Sequence, residues 1–259
     1  MQKRQKLTVH SIVRNEPFVY YSIKSVYDYV DSIFLYDTGS NDAHTLEDIQ
    51  TLISEDKDHK IVFKKVTIDI DETDWTLHTI YRKQRDVSHR RKRILGHVRL
   101  QQMEETCTPF FMIVDGDEVH YKQTMMAIRT TLNWWPHQKI CGFIPSLWFA
   151  DMSNVLRFTH KPSSGRIFMT GEIGIDLIPF GEMGTNKRTG AHIVSTQECS
   201  FNVRRVLPFA HFEPFLKPWR DRESAPYVLG TQKHDGSLPE AIQENDYYVR
   251  RFLDGTHSD

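Results

Sequence analysis

Phe110-Phe111-Met112-Ile113-Val114-Asp115-Gly116-Asp117-Glu118-Val119 is the stretch on which the reading of this chain turns. An unbroken apolar run ended by a turn residue reads as a strand buried on both faces. Carboxylates at the carboxyl end of such a strand stand where open α/β sheets bind ligands. Side chains alternate along a strand, so Asp115 and Asp117 share a side if the backbone stays extended, and Gly116 lets the turn tighten. Two adjacent carboxylates repel. A hard divalent cation relieves that repulsion and also gathers phosphate oxygens. The simpler reading of the same residues is a polar strand-to-helix loop whose acids cap the next helix.

The chain before this stretch alternates. Leu7 to Val13 (LTVHSIV) predicts a strand that ends in Arg14-Asn15-Glu16-Pro17, with Pro17 in the first turn of a helix. Phe18, Tyr21, Ser22, Val26 and Tyr29 recur at helical spacing. Ser32 to Tyr36 (SIFLY) predicts a second buried strand, closed by the turn cluster Asp37-Thr38-Gly39-Ser40-Asn41-Asp42. A short helix over Ala43 to Ile53 and a strand over Lys60 to Ile70 follow. Strand, helix, strand, helix, strand implies a parallel sheet with right-handed crossovers. Residues 78 to 106 predict a helix whose segment Arg82 to Arg93 is dense in Lys and Arg. That segment reads as a solvated face, or as a face for a diphosphate or an acidic partner.

Beyond the central stretch the periodicity predicts a helix over Tyr121 to Leu132 and a strand over Ile140 to Phe149. Pro145 interrupts that strand, which predicts an edge position or a bulge. Val155 to His160, Arg166 to Thr170, Ile173 to Ile178, Ala191 to Ser195 and Phe201 to His211 predict short strands. Gly181 to Gly190 (GEMGTNKRTG) reads as a flexible loop, and Glu240 to Leu253 as a helix.

Composition bounds the class. With 259 residues, 39% hydrophobic and 26% charged, the chain has the make-up expected of a folded soluble protein, long enough for a sizeable core. A formal net charge of -1 gives no general attraction to nucleic acid or to a membrane surface. Cys107, Cys141 and Cys199 are far apart and form no CxxC pair, which argues against a zinc ribbon or a disulfide framework. The basic start, Met1 to Lys6, is followed by no apolar signal core, and no run reaches transmembrane length. The expectation is a cytoplasmic protein with no nucleic-acid partner and no transmembrane segment.

Three passages together resemble a known family. The first strand ends in Val13-Arg14-Asn15-Glu16, the second in Asp37-Thr38-Gly39-Ser40-Asn41-Asp42, and the fourth in Asp115-Gly116-Asp117-Glu118. In that order, over roughly residues 7 to 120, they resemble the family-two glycosyltransferases of the A-type (GT-A) fold. The resemblance implies a Rossmann-like, mainly parallel sheet flanked by helices. It implies a nucleotide-sugar donor, of UDP type, a Mn2+ or Mg2+ cofactor, and a glycan or other hydroxyl acceptor. Carried over residue by residue, Asp37 matches the acid that receives the nucleobase, with Val13, Arg14, Asn15 and Glu16 lining the nucleoside pocket. Arg99 matches an arginine on the helix before the acidic strand, although Leu100 stands where the family usually has Asn. Asp115 and Gly116 belong to the donor side, Asp115 holding the ribose or sharing the metal, and Asp117 binds the metal. More loosely, Arg166-Ile167-Phe168, Gly190-Ala191-His192 and Leu207 to His211 are similar to one branch of the family, where a late His completes the metal shell; here that is His211. Residues 1–220 would form the transferase domain, its nucleotide-binding half ending near 120 and its acceptor-side half near 220. Residues 221–259 would form a C-terminal extension.

Transfer of a sugar from such a donor builds charge on a diphosphate leaving group, which a metal ion and nearby cations stabilise. Lys187 and Arg188 are candidates beside Arg99, with Gly181 to Gly190 closing as a lid. An inverting reaction needs a carboxylate to take the acceptor proton; Glu172 and Asp176 are the candidates, and either also reads as a solvated loop acid. Trp148, Phe215 and Trp219 are candidate stacking surfaces for the acceptor.

Two other readings remain open at this stage. Asp115-Gly116-Asp117-Glu118-Val119 also fits the opening motif of a phosphatase of the haloacid dehalogenase type, with Asp115 as nucleophile. That motif normally stands on a first strand, and three predicted strands precede it here. The other reading is a non-catalytic module that binds nucleotides or sugars. Walker-type, GxGxxG, GxSxG and HExxH motifs are absent.

Overall fold

The computed structural model describes residues 4–67, 87–137, 139–158, 163–176, 183–186, 200–202, 208–212 and 228–245. The first strand, β1 (Leu7–Val13), is buried along its whole length. Helix α1 (Val19–Tyr27) returns the chain to β2 (Ser32–Asp37), and α2 (Ala43–Glu55) returns it to β3 (Ile61–Lys65). Pro17 lies in the turn before α1 rather than in its first turn, and no side chain caps the helix. Burying Phe18, Val19, Ile23 and Val26 outweighs that: each contributes roughly 1.5–3 kcal/mol, against about 1 kcal/mol for a cap. Helix α2 is capped, the Asp42 carboxylate accepting from the Thr45 N–H at 2.8 Å.

Helix α3 (Val87–Glu105) leads into β4 (Phe110–Ile113), which pairs with β1 on the side away from β2. The three pairings β3–β2, β2–β1 and β1–β4 are all parallel. Leu7, Val9, Val13, Ile33, Leu35, Phe110 and Met112 share one core with α1 and α2. Ile12, Phe34 and Tyr36 face the other way, toward Val98 of α3. Helices α1 and α2 therefore cover one face of the sheet and α3, which crosses from β3 to β4, the other. The boundary between β1 and β4 is the topological switch point where open α/β sheets form their ligand crevice.

After β4 come β5 (Glu118–Val119), α4 (Lys122–Asn133), β6 (Cys141–Trp148), β7 (Asn154–Phe158) and β8 (Ser163–Met169). Then follow β9 (Ile173–Asp176), β10 (Met183–Asn186), β11 (Ser200–Asn202), β12 (Phe209–His211), β13 (Val228–Lys233) and α5 (Glu240–Glu244). The main sheet runs β3-β2-β1-β4-β8-β6-β12-β5, with β11 also on β6. Strand β8 is antiparallel to both β4 and β6, so β6 and β12 point the same way as β4. The class expected from the sequence is the one observed: a Rossmann-like, mixed, mainly parallel sheet flanked by helices.

Strands β4 and β5 are close in sequence yet have three strands between them in the sheet, so the sheet curls back on itself. The pairing β5–β12, with His211 opposite Glu118, closes the curl over the acidic turn. Pro145 was expected at an edge or a bulge. Strand β6 is instead interior, and its register shift falls between Gly142 and Phe143. Pro145 sits in the gap on one side of β6 between β11, whose pairing ends at Phe143, and β12, whose pairing begins at Ser146. A missing N–H is tolerated there.

The expected flexible loop Gly181 to Gly190 contains β10, which pairs antiparallel with β9; the rest of it lies outside the described residues. In the C-terminal part, β13 pairs with β7, and Ile242 of α5 joins the main core. The Tyr21 hydroxyl donates to the Asn245 carbonyl at 2.6 Å. Residues 228–245 are thus packed onto the first half of the chain. Among the described residues no helix is long and apolar enough to cross a membrane.

Candidate active site

Three strand ends meet at the switch point. The registers Val13↔Asp37 and His10↔Ile113 bring the loops after β1, β2 and β4 to one end of the sheet. Asp37 is 1% exposed. Its Oδ1 accepts from the Gly39 N–H at 3.2 Å and the Ser40 N–H at 2.8 Å, while Oδ2 is buried with no hydrogen-bond partner. A buried carboxylate oxygen without a donor is costly, and an N–H from a ligand removes that cost.

Asn15 was expected to line the nucleoside pocket. Its side chain is engaged elsewhere: Oδ1 accepts from the Asn41 and Asp42 N–H groups, and Nδ2 donates to Asn41 Oδ1. Its φ is +53°, in the left-handed region. Asn15 therefore clasps the loop after β1 to the loop after β2. Val13 and Glu16 are buried, and Arg14 is exposed.

The acidic residues do not stay extended. Gly116 and Asp117 form a turn closed by the Glu118 N–H donating to the Asp115 carbonyl at 3.1 Å. The Ser22 hydroxyl of α1 donates to the same carbonyl at 2.8 Å. The turn therefore separates Asp115 from Asp117, which sequence alternation placed side by side.

Asp115 lies between two arginines, 3.7 Å from Arg99 Nη2 and 3.2 Å from Arg166 Nη1. Arg99 is held by the His10 carbonyl at 3.1 Å and by Gln102 Oε1 at 2.9 Å. Arg166 forks, its second nitrogen donating to Glu118 Oε1, and its guanidinium lies 5.4 Å from the centre of the Phe209 ring. The other Glu118 oxygen accepts the Asp115 N–H at 3.2 Å. Burial pushes the Glu118 carboxyl up to about 8, with Arg166 pulling the other way. Burial works to lower the Arg166 pKa; Glu118 and Asp115 more than offset it and hold the guanidinium charged.

Asp117 faces a different partner. Its Oδ1 stands 3.5 Å from His211 Nε2, and its carbonyl accepts the Phe212 N–H at 2.9 Å. Burial acts to lower the His211 pKa, but the Asp117 carboxylate beside it raises it above the ordinary value. The Trp148 ring meets the His211 ring edge-on at 4.4 Å. Among the described residues no group of three or more His, Cys, Asp or Glu is disposed to hold a metal ion. Asp117 and His211 would nevertheless hold one, a carboxylate oxygen and an imidazole nitrogen standing 3.5 Å apart. Carboxylate plus neutral imidazole is a mixed set acceptable to manganese.

The structure separates the remaining candidates. Glu172 is not brought to the acidic turn. It lies in the turn after β8, where the Thr170 N–H donates to the Pro109 carbonyl, at the opposite end of β4. Antiparallel β8 carries it away from the carboxyl ends. Asp176 is the last residue of β9, opposite Met183. Lys187, Arg188, Gly190, His192, Phe215 and Trp219 lie outside the described residues. Sequence reasoning singled out neither Glu118 nor Arg166 as part of the constellation. The signal available was Glu118 directly after the acidic pair.

No family model matches this chain, and no curated protein matches it. Solved structures do. One is S. aureus TarS 1–349, at 12% identity and a TM-score of 0.47, covering 81% of this chain and 61% of that one. Another is glucosyl-3-phosphoglycerate synthase from Mycobacterium tuberculosis with Mn2+, uridine diphosphate and phosphoglyceric acid. It matches at 11% identity and a TM-score of 0.35, over 56% of this chain and 43% of that one. The chain thus spans less than two thirds of the structures it matches.

Proposed function

We propose that the protein is a metal-dependent glycosyltransferase that moves a sugar from a nucleotide-sugar donor, of UDP type, to a hydroxyl acceptor. The observation that carries this reading is the meeting of Asp37, Asp115, Asp117 and His211 at one end of the sheet, across the switch point between β1 and β4. Asp37 would receive the nucleobase, its orphaned Oδ2 accepting an N–H such as that of uracil. Asp117 and His211 would hold the Mn2+ or Mg2+ ion, which supplies charge stabilisation to the departing diphosphate.

The residues of the chain do the rest. Asp115, fixed between Arg99 and Arg166, would face the donor ribose. Trp148, edge-on to His211, would supply an apolar wall for the acceptor beside the reacting sugar. Of the two candidate bases Glu172 sits at the far end of β4, which leaves Asp176 as the candidate. The phosphatase reading needs Asp115 as a nucleophile. With an arginine on each oxygen, that carboxylate is a poor one.

The test is a thermal-shift screen of nucleotide sugars and nucleoside diphosphates, each with and without Mn2+. A ligand that binds only the native state raises the melting temperature. Metal-dependent stabilisation by a uridine diphosphate sugar, followed by its slow hydrolysis, is the expected result. No shift across the panel would overturn the reading.

A further inference from the structure

The fold treats the two carboxylate oxygens of Asp37 differently. Oδ1 accepts from the Gly39 N–H at 3.2 Å and from the Ser40 N–H at 2.8 Å, which occupies both of its lone pairs. Oδ2 is buried with no hydrogen-bond partner. Asp37 therefore keeps a single oxygen for a ligand.

The Gly39 and Ser40 N–H groups stay on Oδ1 because the turn is tied to the end of β1 on both sides of them. Upstream, the Thr38 N–H donates to the Val13 carbonyl at 3.0 Å. Downstream, Asn15 makes the tie. Its Oδ1 accepts from the Asn41 N–H at 2.9 Å and the Asp42 N–H at 3.1 Å. Its Nδ2 donates to Asn41 Oδ1 at 2.8 Å, and its own backbone N–H donates to Ser40 Oγ at 2.9 Å. One residue thus grips residues 40–42 through both its side chain and its backbone. Between the two ties the chain passes through Gly39 at φ +104°, which only a glycine adopts freely.

The number of free oxygens decides which base fits. Uracil offers one N–H, flanked by two carbonyls. A carboxylate with one free oxygen matches it, whereas a second free oxygen would face a carbonyl and repel it. Guanine offers two adjacent N–H donors on its pairing edge and matches a carboxylate with both oxygens free; against a single acceptor one of its donors is left unpaired, which costs binding.

We infer that Asn15 is a specificity-determining positioning residue: by gripping residues 40–42 it keeps the Gly39 and Ser40 N–H groups on Asp37 Oδ1, and so sets the site for uracil against guanine. This rests on the proposal above that Asp37 receives the nucleobase. Asn15 touches no base in this scheme and acts through Asp37.

The experiment is calorimetric titration of the full chain with UDP and with GDP, each with Mn2+ present, and with Mn2+ alone. The wild type should prefer UDP. Asn15→Gly removes the side-chain grip and still accepts the φ of +53° at this position. It should lower the ratio of UDP to GDP affinity by about tenfold. Asn15→Asp keeps the oxygen that receives the two N–H groups and should hold that ratio within about threefold of wild type. Affinity for Mn2+ alone should stay near wild type in both. A merely structural role would weaken both nucleotides together and leave the ratio where it was. An unchanged ratio in folded Asn15→Gly overturns the inference. If Asn15→Gly does not fold, Ser40→Ala, which removes the acceptor of the Asn15 N–H, decides in the same way: a lowered ratio supports the inference and an unchanged one overturns it. A wild type with no preference for UDP would instead bring down the reading of Asp37 as the base acceptor.

Discussion

Gly116 lies flat against Glu16: a Cβ built on Gly116 would stand 2.7 Å from the Glu16 Cβ and 3.3 Å from Val13 Cγ1. The obstacle is the root of a buried side chain, not the free end of a long one. Gly116→Ala must therefore push the acidic turn away from β1. Overpacking of this kind costs about 1–3 kcal/mol. We expect the variant to fold with a lowered melting temperature and to lose most metal-dependent nucleotide binding. Gly39→Ala is the contrast. Nothing lies within 4 Å of its Cβ, so only the strain of φ +104° is felt. Denaturant unfolding and calorimetry of both variants check the pair, and equal nucleotide affinity in Gly116→Ala and wild type would refute the close-contact argument.

Asp37→Asn separates base recognition from metal binding. The amide keeps an oxygen for the Gly39 and Ser40 N–H groups and exchanges the orphaned Oδ2 for a donor. Facing a uracil N–H, a donor replaces an acceptor, which costs about 1–3 kcal/mol. UDP affinity should fall roughly 10- to 100-fold, while Mn2+ affinity and stability stay near wild type. Loss of both affinities together would mean that the base pocket lies elsewhere.

The ends of β1, β2 and β4 were legible because each closes on a run of turn-forming or acidic residues, after a continuous apolar stretch in β2 and β4 and a mixed alternation in β1. What lay hidden was long-range. Glu118 and Val119 make a strand only because β12 arrives beside them, and a two-residue strand has no periodicity to read. Arg166 was visible as part of a motif but not as the partner of Asp115, since that contact depends on β8 running antiparallel to β4. The same antiparallel course put Glu172 at the wrong end of the sheet, a direction that no local pattern encodes. Asn15 was read as a pocket residue because its position is right; its left-handed backbone and its bonds to residues 41 and 42 come from the fold.

Asn15 yields its own prediction. Asn15→Ala removes the clasp to Asn41 and Asp42 and leaves a Cβ at φ +53°. Asn15→Gly removes the clasp and relieves the backbone. Asn tolerates this conformation, Ala less, and Gly freely. Both variants should be destabilised, Asn15→Ala by roughly 1 kcal/mol more than Asn15→Gly. Urea unfolding measures the order. If Ala proves the more stable of the two, the left-handed conformation is not what Asn15 is there to hold.

The last prediction concerns His120, which follows the acidic turn and stacks on Phe209 at 5.2 Å. Both ring nitrogens are buried without a hydrogen-bond partner, and the backbone N–H donates to Ser25 Oγ. Burial first, then the charge of Arg166, lowers the His120 pKa to about 3. The unfolded chain takes up a proton near pH 6.5 that the folded chain refuses, so this residue's contribution to stability shrinks as pH falls from about 6.5 toward 3. One unit below 6.5 the loss is about 1.4 kcal/mol. Other groups titrate in the same range, so the variant His120→Phe isolates the term. A phenyl ring preserves the stacking on Phe209 and removes two unsatisfied nitrogens. At neutral pH the variant should be at least as stable as wild type. Between pH 7.5 and 5.5 its stability should fall by about 1.4 kcal/mol less. Equal losses in the two proteins, read from urea unfolding at both pH values, would show that His120 finds a proton or a partner inside the folded chain.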